Sequence, residues 1–317
     1  MASKKRDPET TGRIDLPWGP SAHCPCGSGE PYAACCRQPT GEVYKRFAWP
    51  IPVGDVTSFR HEGCYLGATA NCSRQISREH FVSQSVLRLI NEKHVKITGA
   101  PWLSAGKSQA LSIDNLAANV LCTRHNSALS PLDDVAGGFF QAVRWIFDDQ
   151  LKRKSLSRRN AWFLFSGEML ELWMLKVALG LFHARIVAKD GKPFRDRHVL
   201  SSSLIGAFEG KPLAPTCRLS VHRELAEGDG LRDEINCTPM VDDAAERMIG
   251  LRVQFMGVPL LQMIDPNVHY GPAVLSAQIT RPTYLIFKGR VRRHTVVLTW
   301  PSTGPTKEAV QFSERPR

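Results

Sequence analysis

The 317-residue chain carries 41 Lys and Arg against 30 Asp and Glu, a net charge of +11 with a pI near 9.4. A hydrophobic content of 43% with 22% charged residues is ordinary for a globular chain and long enough for two or three compact units, which excludes an intrinsically disordered class. The basic excess favours a polyanionic partner, since neutralising phosphates releases condensed counterions, although a basic proteome produces the same balance. The opening MASKKRDPETTG has no apolar h-region, so residues 1–22 read as a flexible basic N-terminus without a secretory signal, and the expected location is the cytoplasm. Nine cysteines in a reducing compartment point to metal sites rather than disulfides.

Residues 24–36 read CPCGSGEPYAACC, placing Cys24, Cys26, Cys35 and Cys36 within thirteen residues. Gly27 and Gly29 permit a tight turn, and four thiolates at this spacing can close a tetrahedral zinc site. A loop this short has no core of its own, so metal binding would supply its folding energy. The segment 23–40 resembles the SEC-C motif, known from the zinc-binding tail of the bacterial secretion ATPase, and the resemblance implies a bacterial protein. Glu30, Ala33 and Ala34 stand where family members often carry lysine, which leaves zinc binding intact but not a shared basic docking surface. The knuckle is then either a docking element for a protein or nucleic acid, or a structural clip.

Residues 41–135 hold the chemistry. Cys64 and Cys72 precede SREHFVSQSVL (77–87), and LCTRHNSALSPLD (121–133) follows. The pattern predicts a strand over 76–82, a short helical turn over 86–90, an insertion over 91–111, a second strand over 113–121 and a helix from Thr123 to Leu132. In a regular ladder Glu79 and His80 leave opposite faces of the strand, so a bulge or hairpin end is needed if both are to reach one phosphate. His61 is a rival zinc ligand, more simply read as a surface histidine.

Glu-His in an apolar strand, followed by Cys-x-x-His-Asn, resembles the HNH nucleases of the ββα-metal fold. The resemblance implies a structural zinc held by Cys64, Cys72, Cys122 and His125. It further implies that His80 is the general base, that Glu79 and Asn126 hold Mg2+ or a similar divalent ion, and that Asn115 pins the hairpin, with Asn119 as runner-up. The first knuckle has seven residues between its cysteines where two are usual, Glu79 replaces Asp, and Ser83 stands where Pro is frequent.

Gly106-Lys107-Ser108 resembles the end of a Walker A loop, but Gly99 lies seven positions before Gly106 where five are required, so a nucleotide triphosphatase is rejected. Residues 138–149 have helical periodicity, and the basic run Lys152, Arg153, Lys154, Arg158 and Arg159 follows as a solvated loop or a DNA-backbone contact. Residues 162–165 read as a buried strand. Ser166 can cap the helix MLELWMLKVALGLF (169–182), which is too short to span a bilayer and apolar nearly all round. Residues 223–247 are acidic and turn-rich, consistent with a linker or an exposed excursion. Beyond them LRVQF, PLLQMI, AVLSAQIT, TYLIFKG and HTVVLTW read as antiparallel strands, the last two forming a hairpin with Lys288, Arg290, Arg292 and Arg293 at its tip. That tip is a second phosphate-contacting patch or a charged turn that discourages edge pairing. Cys217 and Cys237 are packing residues.

The sequence therefore predicts an α+β protein: a ββα-metal nuclease core with zinc knuckles, plus an α+β C-terminal domain (136–317) rich in antiparallel strands. It would bind two structural zinc ions and a catalytic divalent ion, act on nucleic acid, DNA in preference to RNA, and serve in defence against foreign DNA. The alternative is a non-catalytic, zinc-stabilised module that binds nucleic acid or protein.

Overall fold

The computed structural model describes residues 16–26, 28–38, 43–45, 47–98, 103–104, 107–151, 160–189, 191–223, 234–242, 244, 246–268, 277–289, 291–301 and 306–313. After the N-terminal knuckle come β1 (Ile76–His80), α1 (Gln84–Ile90), the outlying hairpin β2 (His94–Thr98) and β3 (Ser108–Ser112), and β4 (Ala117–Cys122). β4 runs directly into α2 (Thr123–Leu151). β1 and β4 pair antiparallel, with a register shift between Ser77 and Arg78, so two strands and a helix form one unit with the β2–β3 hairpin inserted between its strands.

α2 runs through the boundary expected at 135/136, joining the predicted helices 123–132 and 138–149 into one. Its start is held from outside. Ser73 Oγ lies 2.7 Å from Thr123 Oγ1 and accepts the Arg124 backbone N–H. Pro131 cannot donate to the Ser127 carbonyl, and Ser130 Oγ does so instead at 2.9 Å, which lets the helix continue.

β5 (Trp162–Ser166) leads into α3 (Gly167–His183), whose first turn is capped by Ser166 Oγ accepting from the Met169 N–H. Residues 167–182 of α3 are all buried. A helix apolar nearly all round needs covering on every side, and its charged side chains Glu171 and Lys176 are ion-paired. The small pair β6 (Ala188–Lys189) and β7 (Lys192–Pro193) and the short α4 (Ser203–Gly206) follow. Next come β8 (Ser220–His222), β9 (Ile235–Asp242), β10 (Arg247–Phe255), β11 (Val258–Met263), β12 (Gln278–Thr280), β13 (Pro282–Lys288), β14 (Arg293–Thr299) and β15 (Thr306–Ser313). They form an antiparallel sheet in the order β12-β8-β11-β10-β9 and a mixed sheet in the order β15-β13-β14-β5, and α3 packs against both, as well as α2.

Two expectations change. The acidic stretch read as a linker or an exposed excursion holds β9, an edge strand; Ile235, Cys237, Pro239 and Val241 are half-buried, and Pro239 is tolerated because one side of an edge strand has no ladder partner. The last sheet is not purely antiparallel. β13–β14 is the predicted hairpin, but β14 pairs parallel with β5 and β13 pairs parallel with β15. No described helix is long and apolar enough to cross a membrane.

Candidate functional site

Two groups of four ligand atoms converge, each within 4.8 Å of one another: Cys24, Cys26, Cys35 and Cys36, and Cys64, Cys72, Cys122 and His125. In the second group His125 Nδ1 lies 3.2, 3.5 and 3.6 Å from the sulfurs of Cys122, Cys64 and Cys72. Tetrahedral zinc with bonds of about 2.3 Å to sulfur and about 2.0 Å to nitrogen requires N···S edges of roughly 3.5 Å, so the donor set fits the ion. The outer partners fit too. His125 Nε2 is 3.1 Å from Thr69 Oγ1, whose own hydroxyl donates to the Leu66 carbonyl, leaving Nδ1 to face the sulfurs. Backbone N–H groups of Ser73 and His125 donate to Cys122 Sγ. All four ligands are buried, and burial pushes the Cys64 thiol up, a cost that a bound cation reverses. His61 stays outside the group, its Nδ1 accepting from the Gly63 N–H.

The N-terminal group is more open. Cys26 and Cys35 sulfurs are 3.5 Å apart, and those of Cys35 and Cys36 are 3.8 Å apart, close to the roughly 3.8 Å edge of a tetrahedral thiolate site. Burial acts to raise the Cys26 thiol, but hydrogen bonds from Ser28 and the neighbouring thiols hold it at about 7. The knuckle is seated on the mixed sheet: Trp18 packs edge-on against Tyr32 and Trp162, and Tyr32 and Cys36 share a cluster with Leu164 and Val297. Tyr44 Oη donates to Glu168 at the start of α3.

Residues 22–38 match the SEC-C motif. No HNH family model matches the chain. No curated protein and no solved structure matches it either. The SEC-C match covers the first metal group alone, so the second group and the polar residues around it rest on geometry.

Glu79, His80 and Asn126 are all carried by the β1–β4–α2 unit, but they do not meet on one point. The register shift lies before Glu79, which therefore pairs with Ala118 while His80 pairs with Ala117, and the two side chains leave the strand in opposite directions. Glu79 turns inward, where its Oε1 is 2.5 Å from Lys176 Nζ on α3. The same ammonium is 2.6 Å from Asp133 Oδ2, with Lys176 3% and Glu79 7% exposed. Ser83 Oγ donates to Asp133 and accepts from Trp173 Nε1 at 2.6 Å. Burial pushes Glu79 up to about 6, Lys176 pulls it down, and Asp133 opposes that pull.

His80 is half-buried at the end of β1, and its Nε2 is buried without a hydrogen-bond partner. Burial lowers its pKa while Asp114 and Asp133 raise it, so the imidazole is neutral at neutral pH. Asn126 Nδ2 donates to Ser77 Oγ at 3.0 Å and to the Arg78 carbonyl at 3.3 Å, tying α2 to β1. That is the hairpin-pinning task expected of Asn115, which is exposed beside Asp114. Arg78 instead reaches the Asp114 carbonyl.

Among the described residues there is no third group of His, Cys, Asp or Glu donors with metal-binding geometry. A cation site made of Glu79 and Asn126 is not assembled, because Lys176 already supplies the positive charge at Glu79. Asp133, Lys176 and Trp173 were given no role from the sequence, Asp133 being marked only by the SPLD close of the second motif, and Ser83 was noted only as standing where Pro is frequent. Lys152, Arg153, Lys154, Arg158, Arg159 and Arg290 lie outside the described residues, whereas Arg292 and Arg293 sit at the β13–β14 turn and at the start of β14.

Proposed function

We propose that the chain hydrolyses phosphodiester bonds in nucleic acid, DNA in preference to RNA, with His80 as general base. The observation that carries this reading is the half-buried imidazole at the end of β1, on a strand–strand–helix unit tied together by a Cys3His group. A neutral imidazole accepts a proton from an attacking water near neutral pH, as the new P–O bond forms and the bond to the leaving 3′ oxygen breaks. The net charge of +11 supports a polyanionic substrate.

The HNH likeness adds a divalent ion on Glu79 and Asn126, which would polarise the phosphoryl oxygen. With Glu79 held by Lys176 that ligand set is not in place, and the role given to His80 does not depend on it. The ion pair favours a second reading, a zinc-stabilised binding module in which the Glu-His pair is structural. The SEC-C knuckle, being seated on the mixed sheet, would offer only its outward face to a protein partner.

Zinc-loaded wild type and His80→Ala, each offered supercoiled plasmid and structured RNA with and without Mg2+, separate the readings. The enzyme reading expects strand breaks from wild type alone and more from DNA than from RNA. Equal binding by both proteins with no breaks selects the module.

A further inference from the structure

At the far end of α2 from His80, the β13–β14 turn forms an open concavity of about 330 Å³ lined by Asn160, Lys288, Gly289, Arg292, Arg293 and Gln311, with Val291 at its side. From Asn126 to Gln150 is 24 residues of α2, about 36 Å at 1.5 Å per residue, so this place is separate from the candidate cleavage site. Three cationic side chains converge on it.

Two further donors lie beside it, neither with a hydrogen-bond partner among the described residues. Arg292 Nη1 and Gln150 Nε2 are both buried without a hydrogen-bond partner, and the Gln150 amide lies under Gly289, where an added Cβ would come within 3.5 Å of Nε2. Buried donors are ordinarily satisfied. Asp149 does not supply the missing acceptor: its Oδ2 is 3.0 Å from His294 Nε2 but 3.8 Å from Arg292 Nη1, beyond hydrogen-bond reach. His294 Nδ1 accepts the Ala161 N–H, so Nε2 carries the proton that goes to Asp149. Asp149 thus takes the His294 proton and also stands in ion-pair range of Arg292, which holds that guanidinium at the edge of the concavity. Asn160 Oδ1 accepts the Arg293 N–H, which fixes the rim.

We propose that this concavity binds one phosphate group, with Lys288, Arg292 and Arg293 supplying its charge and its hydrogen bonds. Guanidinium and ammonium N–H groups recognise tetrahedral oxyanions. The phosphate comes from one of two sources, a nucleic-acid backbone or a small phosphate compound. The first rests on the nuclease reading and the second does not.

The test is a titration of zinc-loaded, full-length wild type with inorganic phosphate at constant ionic strength, followed by 31P NMR. Saturable binding is expected, weakened at least tenfold in Arg292→Gln and in the exposed Lys288→Gln, and unchanged in Lys211→Gln, which removes an equal charge elsewhere on the surface. Absence of saturation, or equal affinity in all four proteins, would overturn the proposal. A second arm adds a short DNA duplex to phosphate-loaded His80→Ala. Displacement of phosphate assigns the pocket to the nucleic-acid backbone; duplex binding without displacement assigns it to a small phosphate compound. Neither arm reads cleavage, so a failed nuclease reading and a failed pocket are told apart.

Discussion

Replacing Lys176 by Met removes the cation shared by buried Glu79 and half-buried Asp133. Its ammonium sits 2.5 Å from Glu79 and 2.6 Å from Asp133. At an effective dielectric of about 20, each contact is worth roughly 6 kcal/mol of gross attraction. Most of that offsets the several kcal/mol lost in desolvating each ion, so the net worth of the assembled group is small. Breaking it is another matter. Glu79 stays buried with no counter-charge, while Asp133, 27% exposed, can turn toward water. The expected loss is about 3–5 kcal/mol, a large share of the 5–15 kcal/mol typical of a whole domain.

Glu79→Gln in the same background should restore most of that loss, because it removes the stranded charge. The pH dependence has a definite sign. A carboxyl raised to about 6 beside its lysine rises further without it, so the variant's deficit is largest above neutral pH and narrows as pH falls and Glu79 takes up a proton. Urea unfolding of the zinc-loaded proteins followed by circular dichroism measures each value. A Lys176→Met loss below about 1 kcal/mol, or a double variant no more stable than the single, would refute the reasoning.

The other predictions are independent of that group. His125→Ala should halve the zinc content from two ions to one and unfold the β1–β4–α2 unit, whereas Cys26→Ser at the more open knuckle should lose one ion with a smaller fall in stability; atomic absorption and thermal melting read both. Gly167→Ala sets a Cβ 2.5 Å from the Trp300 ring, an overpacking expected to cost about 1–3 kcal/mol in urea unfolding. Burial lowers His183 from 6.5 to about 4, aided by Arg195, so its neutral form belongs to the fold. Stability from His183 is therefore full above about pH 6.5 and lost as pH falls toward about 4, by about 3 kcal/mol in all, and His183→Gln should flatten that slope.

The metal groups were legible in the sequence because zinc demands its ligands within a few ångströms, and closely spaced Cys and His leave few other solutions. Ser166 as a cap, the buried helix 169–182 and the β13–β14 hairpin were legible for the same local reason, since each depends on neighbours in sequence. The ion pair of Glu79 was not legible because its partner is far away. Nothing near residue 79 signals that Lys176 will arrive from α3, and a buried charge always finds a partner the local sequence does not name. Asn126 and Asn115 changed tasks for a similar reason: which asparagine pins the hairpin depends on the register shift at Ser77 and Arg78. β9 was hidden by its acidic flanks, which masked the alternation of Ile235, Cys237 and Val241. The parallel pairing of β5 with β14 joins segments more than a hundred residues apart, beyond any local pattern.

The central claim is that His80 acts on the substrate rather than merely filling space. Single-turnover cleavage of a labelled DNA duplex, with wild type and His80→Ala brought to the same bound fraction, isolates that role from binding. The account predicts a rate lower by about 10²–10⁴-fold in the variant, the range of a lost general base. Equal rates, or no cleavage by either protein while both hold the duplex, would contradict it.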